Sequence, residues 1–260
     1  VIIDTHTHLD HKKFIDDVDE VIKRAKEAGV GCFVIPGADP KDLARAQQLS
    51  QKYKSVYYAA GVHPYDMDSF DEKLIAKHLQ DPKCVAVGEC GLDYYRLPKD
   101  EKEREEIKKR QKEIFEKQLL MAKEFDKPVI VHIREASADA KELLQRYSLP
   151  KGGVLHCYNA SPLLLDLAQK GFYFGIGGVV TFKNAKKLVE ILPKIPIEKI
   201  VLETDAPYLT PEPYRGKRNE PAFTVYVAKK VADILGKSYD EVCSVTTQNA
   251  KRLFGLGCEV

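Results

Sequence analysis

Val1-Ile2-Ile3-Asp4-Thr5-His6-Thr7-His8 holds the pattern that decides the fold: a short β-branched run that hands over directly to ionisable side chains. Seven further runs of the same kind follow, at Gly31–Pro36, Val56–Val62, Cys84–Glu89, Pro128–Ile133, Gly153–His156, Phe172–Ile176 and Lys199–Thr204. Longer amphipathic stretches separate them, the signature of βα units and a parallel sheet. Eight such strands in 260 residues predict an α/β fold of the TIM (β/α)8 barrel type, as one domain over residues 1–260. No G-x-G-x-x-G fingerprint follows the first strand, which argues against an open dinucleotide-binding sheet.

Ionisable residues gather where the strands finish. His6 and His8 lie just past the first run and His63 just past the third; Glu89 ends the fourth, His132 the fifth and His156 the sixth; Asp205 follows the eighth. In a closed parallel barrel the carboxyl ends of all strands meet on one rim, where active sites form. Five of the seven histidines therefore converge with two acids. His6 and His8 are two residues apart, so on extended backbone they share a face and are able to grip one ion; Glu203 and Asp205 repeat that spacing. Imidazoles with carboxylates suit zinc, manganese and similar divalent ions. The donors exceed what one tetrahedral ion needs, so two ions bridged by a carboxylate is the expected arrangement. Asp4 shares parity with the two histidines but lies deeper, as a structural acid, whereas His11 and His78 are expected at the surface.

Hydrophobic residues make up 44% of the chain, enough for a sizeable core, which excludes a disordered protein. With 41 basic and 39 acidic side chains the net charge is only +2, so any nucleic-acid contact must rest on a local cluster. The longest stretch free of charged residues, Gly152 to Leu165, is too short to span a bilayer, and no leader-like segment precedes the first strand. Cys32, Cys84, Cys90, Cys157, Cys243 and Cys258 show no CxxC pairing, which reads as reduced thiols in a cytoplasmic protein. A long helix is expected over about Glu101–Phe125, with Glu105/Lys109, Glu106/Arg110 and Glu113/Lys117 as i,i+4 pairs. Gln111 and Gln118 interrupt its apolar stripe and ask for buried hydrogen-bond partners.

The motifs around these residues resemble the TatD family of metal-dependent deoxyribonucleases, among the amidohydrolase-like barrels. The resemblance is carried by Asp4-Thr5-His6-Thr7-His8-Leu9, Gly61-Val62-His63-Pro64, Gly88-Glu89-Cys90-Gly91-Leu92-Asp93-Tyr94-Tyr95, Pro128 through Ala136, His156-Cys157-Tyr158, Glu203 through Leu209, Arg218-Asn219-Glu220-Pro221 and Asn249 through Phe254. It runs end to end and in order. It implies one metal site from His6, His8, Glu89 and Asp205 and a second from Glu89, His132 and His156, with Glu89 bridging where many relatives carry a carboxylated lysine. It further implies that His63 faces the phosphate and that Glu203 is an added acidic ligand or water-orienting group. Ile133 after His132, and Tyr158-Asn159 after His156-Cys157, depart from the commonest pattern and bear on substrate preference.

The expected reaction is hydrolysis of a phosphodiester with two divalent ions (zinc, manganese or magnesium), which activate water and counter phosphate charge. Asp205 positions the water and takes its proton. After the eighth strand, Arg215-Gly216-Lys217-Arg218 is a candidate phosphate-binding loop. Tyr65, Tyr94, Tyr95, Tyr158 and Tyr208 are candidates for stacking on unpaired bases. Without a global basic field, single-stranded DNA ends are the expected substrate, attacked by a monomer as an exonuclease, with no membrane partner. Two other readings remain at this point: a barrel hydrolase of small amides, lactones or esters, and an inactive nucleic-acid-binding or scaffold protein.

Overall fold

The computed structural model describes residues 1–259. All eight expected strands form: β1 (Ile2–Asp4), β2 (Val30–Ile35), β3 (Val56–Ala60), β4 (Cys84–Asp93), β5 (Val129–Arg134), β6 (Gly153–Leu155), β7 (Phe172–Ile176) and β8 (Ile200–Leu202). They pair in parallel in sequence order. Beyond the strand ladder, β1 and β8 are joined where the Thr5 N–H donates to the Leu202 carbonyl at 3.0 Å and the Asp205 N–H to the His6 carbonyl at 2.8 Å. The helices are α1 (Val18–Glu27), α2 (Leu43–Lys52), α3 (Glu72–Leu79), α4 (Glu101–Glu124), α5 (Ser137–Arg146), α6 (Lys186–Ile191), α7 (Thr224–Leu235) and α8 (Tyr239–Phe254). Between β6 and β7 a 3-10 segment, Pro162–Lys170, takes the place of an α-helix. Among the described residues no helix is long and apolar enough to cross a membrane, and all six cysteines are free.

Strand alternation sorts the core into two layers. Ile3, Cys32, Val34, Ala59, Ala86, Ile130, Val154 and Val201 pack together inside the barrel, where Leu253 and Phe254 of α8 cover the amino ends of the strands. Ile2, Phe33, Ile35, Tyr58, Phe172 and Phe174 face outward into the surrounding helices. One end of the barrel is thereby filled with apolar side chains, and polar chemistry is confined to the other.

Three expectations need correction. Glu89 does not end β4, which runs on to Asp93, with a register shift between Val87 and Cys90. Gly88 permits this course: its φ is +150°, and a Cβ there would stand 2.7 Å from the Ile130 carbonyl oxygen. His78 is buried at 7% exposure, because its Nδ1 meets the Tyr58 hydroxyl at 2.9 Å. The expected i,i+4 pairs of α4 are not among its ion pairs; Arg110 instead reaches Asp68 at 2.7 Å and Lys112 reaches Asp139 at 3.2 Å. The two glutamines of that helix do find partners. Gln118 accepts from the Val62 N–H at 2.8 Å and donates to the Val62 carbonyl at 3.3 Å. Gln111 makes the same pair of bonds to Asp93, both at 2.9 Å.

Candidate active site

The rim at the carboxyl ends of the strands brings together His6 and His8 after β1, His63 after β3, Glu89 in β4, His132 in β5, His156 after β6 and Asp205 after β8. Glu89 sits at the middle. Its Oε1 lies 3.2 Å from His6 Nε2, and its Oε2 lies 3.2 Å from His132 Nδ1, 3.6 Å from His156 Nε2 and 3.7 Å from His63 Nε2. Asp205 Oδ1 faces His8 Nε2 at 3.0 Å and His6 Nε2 at 3.4 Å. Two donor atoms about 2.1 Å from one ion in tetrahedral or octahedral array lie about 3.0–3.4 Å apart, the spacing of most of these contacts. His6 Nε2, which faces Glu89 and Asp205, is buried without a hydrogen-bond partner, as a nitrogen left free for an ion would be. The donor set therefore fits divalent ions. His6, His8 and Asp205 could hold one ion and Glu89, His132 and His156 another, while His6 with His156 and Glu203, and His63 with Asp93 and His132, bring donor atoms equally close.

Behind the ligands, carboxylates fix the rings. Glu203 Oε1 accepts from the Cys157 N–H at 2.6 Å and faces His156 Nδ1 at 3.1 Å, so that ring's Nε2 is left free toward Glu89. Gly175 makes room for it, since a Cβ there would stand 2.5 Å from Glu203 Oε2. Glu203 is 1% exposed. It lies behind His156, where its Oε1 orients that ring, while its Oε2 is buried without a hydrogen-bond partner and Glu203 joins His6 and His156 in a group of atoms close enough to share an ion. Asp93, to which sequence reasoning gave no role, does the same for His132: its Oδ2 lies 2.8 Å from His132 Nε2. The signal was present, because Glu89, Gly91 and Asp93 share strand parity once β4 is continued past Glu89. Asp4 is the structural acid expected, accepting from the Thr204 N–H and hydroxyl and from the His6 N–H. Burial pushes its pKa up to about 7 against those bonds.

The electrostatics separate the histidines. Burial pushes His63 down to about 4, so its ring is neutral. Its Nδ1 accepts from the Tyr65 N–H at 3.0 Å, which puts the ring proton on Nε2, toward Glu89. Burial also works against the ionised Glu89 and Asp205, but the surrounding imidazoles prevail and hold both below the ordinary carboxylate range.

The basic loop does not reach the centre. Arg218 pairs with Asp17 at 2.7 Å, Arg215 lies over the Phe182 ring and Lys217 over Tyr214. None of the three lines the cavities above the cluster. Tyr158 is also corrected as a stacking platform: it is 4% exposed, its ring meets Phe174 and its hydroxyl donates to the Ser161 carbonyl. Tyr65, Tyr95 and Tyr208 remain exposed on the rim. His11 is half-buried and joins that rim through the Tyr208 hydroxyl, 3.0 Å from its Nε2.

A parallel eight-stranded barrel with histidines and acids converging on its carboxyl-terminal rim defines a metal-dependent hydrolase. The family model for TatD related DNase matches residues 3–255. The chain belongs to that family. It is 40% identical to the uncharacterized metal-dependent hydrolase YabD of Bacillus subtilis, over 98% of this chain and 100% of that protein. It is 36% identical to the 3'-5' ssDNA/RNA exonuclease TatD of Citrobacter koseri, over 98% and 99% of the two chains. Among solved structures it resembles the TatD homolog YjjV of Escherichia coli K12, with a TM-score of 0.90, 30% identity and 98% coverage of both chains.

Proposed function

We propose that this protein is a phosphodiesterase of nucleic acids, working on single-stranded DNA ends with two divalent ions, zinc, manganese or magnesium. The single observation that carries the reading is Glu89, whose two carboxylate oxygens face two separate ligand groups. His6, His8 and Asp205 would hold one ion, and His132 and His156 the other, with Glu89 between them. Ions bound there lower the pKa of water and neutralise the charge of a phosphate. Asp205, ionised and opening onto both cavities, orients the attacking water and takes its proton. His63, neutral and protonated on Nε2, donates that hydrogen to a phosphoryl oxygen as negative charge builds there. The exonuclease name of the Citrobacter koseri relative supports the nucleic-acid assignment. The reading includes action as a monomer, and six free thiols support a cytoplasmic setting.

The test offers purified protein, with each of the three ions, a single-stranded DNA, an RNA and a panel of amides and lactones. Release of mononucleotides, abolished by Glu89→Ala and Asp205→Ala, is the expected result. Turnover of amides or lactones without phosphodiester cleavage overturns the reading, as does nucleic-acid binding without turnover of any kind.

A further inference from the structure

The flanks of the centre carry opposite charge. Toward the loops after β1, β2 and β3 opens a cavity of about 630 Å³ lined by Asp10, Asp39, Asp42 and Asp66, with Arg96 and Arg134 also on its lining. Burial raises the Asp42 and Asp66 carboxyls, and the charge of Asp39 raises them further, the mark of acids packed closely enough to repel one another. On the opposite flank a cavity of about 720 Å³ starts at His132, His156 and Asp205 and reaches Lys186 and Lys187. It shares Arg134, Asn159 and Lys187 with a further cavity of about 760 Å³ that extends to Lys194. Arg134 lies over the exposed Tyr95 ring, its guanidinium carbon 3.6 Å from the centroid. Among the described residues, none of Arg134, Lys186, Lys187 and Lys194 is engaged in an ion pair, and all are exposed. Beyond Asp205 at its start, the acids on the lining of that path are Glu135 and Glu190.

We propose that this asymmetry fixes how a polynucleotide lies and where it is cut. The body of a single strand runs out along Arg134, Lys187 and Lys194, and the acidic bay admits only a terminal nucleoside that carries no further phosphate. Each internucleotide phosphate carries a negative charge, so successive phosphates are drawn along the lysine groove. A phosphate beyond the scissile one would enter the bay among Asp10, Asp39, Asp42 and Asp66, where acids outnumber Arg96 and Arg134 and like charges repel at short range. The bay is therefore an end stop. Cleavage is confined to the last linkage of a strand whose end bears a free hydroxyl, and internal linkages, as in a circle, are refused.

This inference rests on the phosphodiesterase reading, and the experiment separates the two. A small chromogenic diester, bis(p-nitrophenyl) phosphate, reports the centre alone. A short single-stranded oligonucleotide with hydroxyl ends, the same strand phosphorylated at either end, and a single-stranded circle report the flanks. The expected result is cleavage of the hydroxyl-ended strand, at least about tenfold slower cleavage when the released end is phosphorylated, and an intact circle. Asp42→Asn with Asp66→Asn relieves the penalty on the phosphorylated end. Lys187→Ala with Lys194→Ala lowers kcat/KM for the strand about tenfold relative to the small diester. In EDTA, where no cleavage occurs, the same variant weakens fluorescence-anisotropy binding of the strand and flattens its salt dependence by about two phosphate contacts. Equal cleavage of both ends, cutting of the circle, or unchanged binding by the lysine variant overturns the inference. Failure of the small diester and the strand alike overturns the phosphodiesterase reading instead, and the anisotropy measurement then decides the groove by itself.

Discussion

Replacing Gln118 by leucine removes a clamp that stands where β3 has run out. The strand ladder ends at Ala60, and Val62, two residues on, uses the Gln118 amide in place of a neighbouring peptide. Gln118 is 1% exposed, so water cannot take over either bond. Leucine has nearly the same volume and leaves the Val62 N–H and carbonyl buried and unmatched, at a cost of about 1–3 kcal/mol each. Burial of the new methyl groups offsets about 1–2 kcal/mol of this. A net loss of about 1–4 kcal/mol is a large part of the typical stability of a domain, roughly 5–15 kcal/mol. At this chain length it corresponds to a fall in Tm of roughly 3–15 °C, read by calorimetry or circular dichroism. Because Val62 directly precedes His63, kcat/KM on a phosphodiester falls along with stability. A variant that melts within about 2 °C of the parent, with unchanged kinetics, would refute the reasoning and mean that Val62 is held by something other than the glutamine.

Three further outcomes follow from the site. Glu203→Gln keeps the shape behind His156 but removes the charge that orients its ring, so metal affinity falls about 10–100-fold in a chelator-competition titration; undiminished affinity would show that the ring is held by packing alone. Arg218→Ala changes oligonucleotide kcat/KM less than about twofold and stability by about 1 kcal/mol or less, because its partner is Asp17 on a partly exposed surface; a large loss of activity would restore the basic loop as a substrate contact. With chelator present, burial lowers the His132 pKa, but hydrogen bonds to Asp93 and Glu89 outweigh it and lift the value from 6.5 to about 9. Its stabilisation is then complete below pH 6.5 and lost as pH rises through 9, so Tm in EDTA declines over that interval while metal affinity climbs, since an ion displaces the same proton. A Tm in EDTA that is flat or rising across this range contradicts the assignment.

Much of this architecture was legible in the residues because β-branched runs and strand-end histidines are local signals. The barrel, the convergence of five histidines and the need of Gln111 and Gln118 for buried partners all follow from spacing. What escaped depends on partners distant in sequence or on backbone geometry. Arg218 reads as a free cation until Asp17, 201 positions away, is brought beside it. Glu203 and Asp205 read as twins on one face, but β8 ends at Leu202, ahead of both, and Asp205 takes a φ of +58°, so strand alternation does not hold here and Glu203 lies behind His156. His78 looks like a surface histidine on a polar helix until the Tyr58 hydroxyl is packed against it. Asp93 was hidden by ending β4 too early, at a glycine-flanked carboxylate that resembles a strand terminus.

The position of Glu89 in mid-strand has a consequence for how the centre comes into being. A bridge made by modifying a lysine depends on dissolved carbon dioxide and is lost when that gas is scarce, whereas a glutamate arrives finished from the ribosome. With Glu89 as the bridge proposed above, assembly of the centre would need no bicarbonate, and the supply of ions would decide when the protein becomes active.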